Sequence, residues 1–206
     1  GRPVEGMWYS FDVGGVHFVS VSTETDFPHA PTEPSTIIGG GAGGGFGDQL
    51  TWLQKDLNKA RSDNATKFIV VYGHRPWYSS VTTDWPFLAP RRVQDAFEPL
   101  FHEARVDLYV CGHKHLYERT VSAYYGERDD DDGTVQVING AAGNNEGLQS
   151  GKGVGGLIVS ANYEDHGFGS IEVIGDTLRW RYQLSETGEV YDEFELKSRR
   201  NEGLRR

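Results

Sequence analysis

The sequence predicts an α/β fold built around parallel strands, on three observations. Two apolar runs, Phe68-Ile69-Val70-Val71-Tyr72 and Val106-Asp107-Leu108-Tyr109-Val110-Cys111, each lead into Gly-His, the second as Gly112-His113-Lys114-His115. Between them Val93, Ala96, Phe97, Leu100, Phe101 and Ala104 recur at helical spacing, which makes residues 67–115 a βαβ unit. Beyond it, short strand-like segments continue to residue 196, so a strand-rich portion extends the parallel centre. Ligands of open α/β sheets sit at the carboxyl ends of strands. His74, His113 and His115 are therefore expected on one rim, where a metal ion is the natural guest.

Taken in order, strand-like sequence starts already at residue 8, and the chain is expected to begin in mid-fold. Residues 8–13 and 16–21 are aromatic and β-branched and flank Gly14-Gly15, a hairpin signal. Residues 25–47 are rich in Pro, Thr and Gly, including a glycine run at 39–45. A phosphate-cradling loop would need a strand directly before it and Lys-Ser/Thr after it, so a surface insertion is expected instead. Asp48 is placed to cap a helix through about Arg61, with Leu50, Leu53, Leu57 and Ala60 on one stripe.

The loop at 75–87 is long and aromatic, with Trp77, Tyr78, Trp85 and Phe87. Such loops shape substrate pockets, and covering the sheet is the equal alternative. Residues 116–121 are extended. Asp129, Asp130, Asp131 and Asp132 lack the spaced ligands and glycine of a calcium loop, so a solvent-facing turn is expected. A strand at 134–138, a glycine-rich loop at 139–156 and strands at 157–162, 170–174, 177–184 and 190–196 follow. Leu178, Trp180, Tyr182 and Leu184 alternate with Thr177, Arg179, Arg181 and Gln183, so this sheet has one buried and one wet face. The last ten residues form a polar tail.

Composition narrows the function. Hydrophobic residues make up 37% of the 206 and aromatics 12%, which is ordinary for a globular protein. Twenty basic against 30 acidic residues give a net charge of −10, which argues against a nucleic-acid partner. No apolar run approaches the roughly 20 residues that span a bilayer, so no membrane partner is expected. Cys111 is the single cysteine and can form no intrachain disulfide; it is expected in the core. Asn64-Ala65-Thr66 is a glycosylation sequon in a polar turn, with Asn64 the acceptor.

Neutral imidazole is a common ligand of zinc, iron and manganese. His17, His29, His102 and His166 are taken as ordinary structural histidines, and the sequence gives His102 no partner. The triplet differs because its members follow strand-Gly junctions, where glycine lets the backbone turn the rings inward. In a regular strand His113 and His115 would point to one side; in a loop they can diverge to serve two ions.

Val71-Tyr72-Gly73-His74-Arg75-Pro76-Trp77-Tyr78, paired with Gly112-His113-Lys114-His115-Leu116-Tyr117-Glu118-Arg119-Thr120, resembles the last two signature blocks of the purple acid phosphatases. Residues 8–19 resemble the hairpin after that family's middle block, and residues 137–147 and 168–180 its carboxyl-terminal region, so the likeness runs from about 8 to 196. It implies a metallophosphoesterase-type α/β/β/α sandwich with mixed sheets, of which this chain holds the carboxyl-terminal half. Residues 1–206 would form one partial catalytic domain, with a core portion at 1–121, a strand-rich portion at 122–196 and a tail at 197–206. His74 and His113 would bind a divalent ion (iron, zinc or manganese) and His115 the ferric ion. The family's Asp, Tyr and Asn blocks are not found, so the amino-terminal half of the same protein is the implied partner, and the isolated chain is expected to be inactive.

The implied activity is that of an acid phosphatase on small phosphate monoesters, by attack of a metal-held hydroxide. Two ions roughly 3.5–4 Å apart neutralise the phosphate oxygens and acidify bound water. Tyr117 is a candidate for the substrate pocket, with a place in the core as the equal alternative. Asp84 stands near the point where many plant members carry a substrate-contacting histidine. A secreted, lysosomal or vacuolar location is implied as well. Two other readings stay open: a related enzyme acting on phosphodiesters or nucleotides, and a non-catalytic metal-binding fragment.

Overall fold

The computed structural model describes residues 6–30, 45–81, 90–143 and 145–199. Strands β1 (Tyr9–Val13) and β2 (Val16–Ser20) form the expected hairpin. Gly14 and Gly15 both take positive φ, +59° and +83°, as a turn matching the strand twist demands. Helix α1 (Gln49–Ser62) is capped by Asp48, whose side chain accepts from the Thr51 amide at 3.1 Å. Leu53, Leu57 and Ala60 are buried; Leu50 packs only at the margin of the core.

The βαβ unit is β3 (Phe68–Tyr72), α2 (Pro90–Ala104) and β4 (Leu108–Cys111), with β3 and β4 adjacent and parallel. β5 (Tyr117–Tyr124), β6 (Glu127–Arg128), β7 (Thr134–Asn139) and β8 (Ile158–Asn162) complete an eight-stranded sheet. Its order is β1-β2-β3-β4-β7-β5-β6, with β8 also paired to β5. β2, β3, β4 and β7 are parallel, so their carboxyl ends share one rim. β9 (Gly167–Ile174), β10 (Thr177–Leu184) and β11 (Val190–Lys197) make a separate antiparallel sheet.

Alternation explains the layering. Ile69 and Val71 join Leu53, Leu57, Phe97 and Phe101 under the helices, whereas Phe68 and Val70 join Leu178, Trp180 and Tyr182 under the small sheet. Central strands are therefore apolar on both faces, the pattern of parallel sheets covered on each side. Each such buried side chain contributes about 1.5–3 kcal/mol of transfer free energy. The chain thus shows a mixed α/β architecture with a mixed sheet at its centre. β5 crosses position 121 and the large sheet draws on β7 and β8, so the core and strand-rich portions share one sheet rather than meeting at a boundary.

Two local expectations are corrected. The aspartate run is a turn, but not wholly a solvated one. The Asp129 carboxylate accepts from the amides of Asp131 and Asp132 and pairs with His102 at 2.9 Å, while Asp132 pairs with Arg105 at 2.5 Å. His102 therefore has a partner 27 residues away, and its ring also stacks on Tyr124 at 3.9 Å. The tail does not begin at 197 either. Lys197 closes β11, and Arg199 reaches Asp107 at 3.2 Å and the carbonyls of Val106 and Gly133.

Candidate metal centre

Four strand ends deliver the site. β2 runs out into Thr23 and Glu24, β3 into His74 and Arg75, β4 into His113 and His115, and β7 into Gly140. The Thr23 hydroxyl accepts from the amides of His74 (3.2 Å) and Arg75 (2.9 Å), and the Arg75 carbonyl accepts from the buried Tyr109 hydroxyl at 2.7 Å. These bonds fix the backbone from which the His74 ring projects. A Cβ on Gly73 would stand 2.9 Å from the Tyr109 hydroxyl, so Gly73 serves close approach. The turn predicted for glycine is made instead by His113 itself, at φ +63°, a left-handed conformation that a non-glycine residue holds only when its surroundings impose it.

Two of the three histidines meet directly. Nε2 of His74 lies 3.1 Å from Nδ1 of His113, with the rings at 73°. Arg75 donates from Nη1 to Nε2 of His113 at 3.0 Å. A guanidinium only donates, so Nε2 accepts and the neutral His113 ring carries its proton on Nδ1, shared toward His74. Arg75 is buried and paired with Glu24 through Nε (2.7 Å) and Nη2 (2.9 Å), which balances its charge. His74 is held below the ordinary imidazole pKa: partial desolvation is the main cause, the Arg75 and His115 charges add to it, and Glu24 opposes it. This lowering favours the neutral imidazole, the form that ligates metals.

His115 takes separate partners. Its amide donates to Gln149 Oε1 at 2.9 Å, its carbonyl accepts from the Gln149 amide at 2.9 Å, and its Nδ1 lies 3.7 Å from Glu146. Two nitrogens bound to one ion at about 2.0–2.1 Å stand roughly 3 Å apart when they are neighbours in its coordination shell. The His74–His113 pair fits one ion on that criterion. Among the described residues no group of three or more His, Cys, Asp or Glu side chains gathers as a metal site.

The remaining candidates fare differently. Tyr117 is wholly buried, stacked on Tyr182 at 3.9 Å with its hydroxyl on Asp192 at 2.7 Å, so it belongs to the core and not to a substrate surface. Its phenol is pushed far above the ordinary range, first by burial. Asp84 and most of the glycine run lie outside the described residues. Asn64 is exposed in the turn after α1. Cys111 is buried, donating to the Val137 carbonyl at 3.4 Å. Trp77 is buried on Tyr109, with ring centroids 4.5 Å apart, so this part of the aromatic loop covers the sheet. Thr23, Glu24 and Glu118 went unnoticed in the sequence; only Arg75, adjacent to His74, carried a local signal.

Comparison with known proteins places these features in context. Residues 133–193 match the family described as "Iron/zinc purple acid phosphatase-like protein C". Acid phosphatase A of Cryphonectria parasitica is 34% identical over 197 residues, covering 90% of this chain and 38% of that protein. Acid phosphatase of Aspergillus ficuum is 30% identical, covering 94% of this chain and 38% of that one. The chain thus spans little more than a third of the length of these relatives. In structure it resembles a purple acid phosphatase from yellow lupin (Lupinus luteus) seeds, with TM-score 0.68 and 22% identity over 92% of this chain and 32% of that one. It also resembles a Plasmodium protein described as the anchor in the inner membrane complex, with TM-score 0.65, 20% identity and 53% of that chain covered. At these identities the structural likeness establishes the fold.

Proposed function

We propose, for a chain that belongs to the purple acid phosphatase family and corresponds to a carboxyl-terminal region of it, the role of nitrogen-ligand donor in a two-metal phosphatase centre. The observation that carries this reading is the 3.1 Å approach of His74 Nε2 to His113 Nδ1 at the carboxyl rim of adjacent parallel strands. The two rings would hold a divalent ion (iron, zinc or manganese), and His115 would face a ferric ion. When bound, such a pair of ions supplies charge neutralisation for a phosphate monoester and acidifies water. The chain's own residues contribute position: Thr23 fixes the His74 backbone, and Arg75 with Glu24 fixes the His113 ring.

The oxygen ligands would come from the part of the relatives' sequence that this chain does not span. Tyr9, Phe11 and Val13 line one face of edge strand β1 and are 47%, 43% and 59% exposed, an apolar stripe suited to cover by that part. Small phosphate esters are the substrates this reading proposes, and a secreted or vacuolar setting with a glycan on Asn64 accords with it.

The test is metal analysis of the full-length protein together with p-nitrophenyl phosphate turnover near pH 5. Two tightly bound ions with turnover are expected; fewer than two ions and no turnover would overturn the reading. The likeness to a protein described as an anchor keeps a non-catalytic role as the second reading, because fold alone does not imply activity. Tight zinc binding without hydrolysis of phosphate mono- or diesters would favour it.

A further inference from the structure

A cavity of about 470 Å³ opens between the loop after β3 and the glycine-rich loop before β8, walled by Trp77, Tyr78, Val154, Leu157 and Ile158 with Lys152 at its edge. Both walls are anchored to candidate ligands. Trp77 follows His74 by three residues, and Lys152 follows by three the Gln149 that holds both backbone groups of His115. Three residues reach at most about 11 Å, so each wall stays within that distance of its anchor. Val154 is 64% exposed, an apolar side chain presented to solvent at the mouth.

The two walls are pinned together by a buried carboxylate. Glu118, 1% exposed, accepts from the Ser80 amide at 3.0 Å, from the Ser80 hydroxyl, and from the Tyr163 hydroxyl at 2.8 Å. The Ser80 oxygen in turn accepts from the Lys152 amide at 2.9 Å, and the Tyr163 oxygen from the Gly153 amide at 3.2 Å. Gly151 lies flat on this hub, where a Cβ would stand 2.5 Å from the Tyr163 ring. A carboxylate held inside by neutral donors is costly to bury, and its return here is a fixed gap between two loops that no regular strand pairing joins.

We infer that this cavity is the leaving-group subsite, shaped to take the aromatic or aliphatic portion of a phosphate monoester, and that Glu118 is the positioning residue that sets its width. The inference rests on the phosphatase reading above. Five apolar walls bury a ring or short alkyl chain, and the Lys152 ammonium favours an anionic ester over a neutral alcohol.

The experiment uses the metal-loaded full-length protein with 1-naphthyl phosphate and glycerol 2-phosphate. The wild type is expected to show a KM at least tenfold lower for the naphthyl ester. Val154→Asp, a substitution in an exposed loop, should bring the KM ratio near one, and Glu118→Gln should shift it in the same direction with KM affected more than kcat. Equal KM values for the two esters, or a ratio unmoved in both variants, would overturn the subsite while leaving the phosphatase reading intact. Absence of turnover on every ester would fell that reading instead. Equilibrium titration of the wild type and Val154→Asp with the non-hydrolysable 1-naphthylmethylphosphonate against methylphosphonate then decides the subsite: tighter naphthyl binding lost in the variant supports it, and equal binding overturns it.

Discussion

The Asp192 carboxylate on β11 takes Nε and Nη2 of Arg119 on β5 at 2.7 and 3.0 Å, joining the small sheet to the large one. The Tyr117 hydroxyl adds a third bond at 2.7 Å, and the guanidinium lies over the Phe194 ring at 4.6 Å. Burial pushes the Asp192 pKa up, and the bonds from Arg119 and Tyr117 outweigh that, leaving it below the ordinary carboxylate value. A depressed folded-state pKa contributes stability above the unfolded value near 3.8 that is lost as pH falls through the folded one. Asp192→Asn should therefore cost about 3 kcal/mol at pH 7, since it strands the Arg119 charge, and less at pH 3, below the unfolded value. Urea midpoints of both proteins at the two pH values check this; an equal difference at both would refute it.

His17 behaves with the opposite sign. It is buried between Asp12 (2.8 Å) and Asp56 (2.9 Å). Burial lowers its pKa, and the two carboxylates more than compensate, so it ends above 6.5. Its contribution is fully present below pH 6.5 and fades as pH rises through the folded value. His17→Gln should flatten the pH dependence of stability in that window and lower the midpoint at pH 5–6. The profile from pH 5 to 9 is the measurement, and an unchanged slope would exclude the role.

Gly140 abuts the turn that carries two candidate ligands. A Cβ there would overlap the Lys114 carbonyl, with the carbonyl carbon at 2.9 Å. Gly140→Ala must push the 112–115 segment away, costing about 1–3 kcal/mol of overpacking. Metal content should fall with it. A full metal complement in a protein of unchanged melting temperature would show that the segment yields without consequence.

His74 projects into solvent at the rim, so removing it should barely touch the fold. His74→Ala in the full-length protein is expected to leave stability within about 0.5 kcal/mol and to weaken one metal ion by at least tenfold. Equal affinity of the variant and the wild type for both ions, measured by competition with a chelator, would place the ion elsewhere.

Much of this was legible in the chain. Period-two and helical patterns located the hairpin, both helices and nearly all strands, because each element buries an apolar face of its own. The strand-Gly-His junctions located the histidines, because parallel strands bring their carboxyl ends to one rim. What stayed hidden depends on distant partners. Glu24 lies 51 residues from Arg75 and Glu118 lies 38 from Ser80, and no local pattern announces either pairing. His102 meets Asp129 only because β5 and β6 fold back over α2. For Tyr117 the sequence left pocket and core equally open, because strand register, set by packing, decides which face a tyrosine takes.

The adjacency of β3 and β4 also bears on how the molecule assembles. Only 39 residues separate His74 from His113, and a helix shortens the path between them. Closing so short a loop costs little chain entropy, so the imidazole pair forms with the βαβ unit and does not wait for long-range docking. The small sheet is a meander of adjacent hairpins that can pair locally, so what remains long-range is its docking through Arg119 and Asp192, and substitutions at that contact should chiefly speed unfolding.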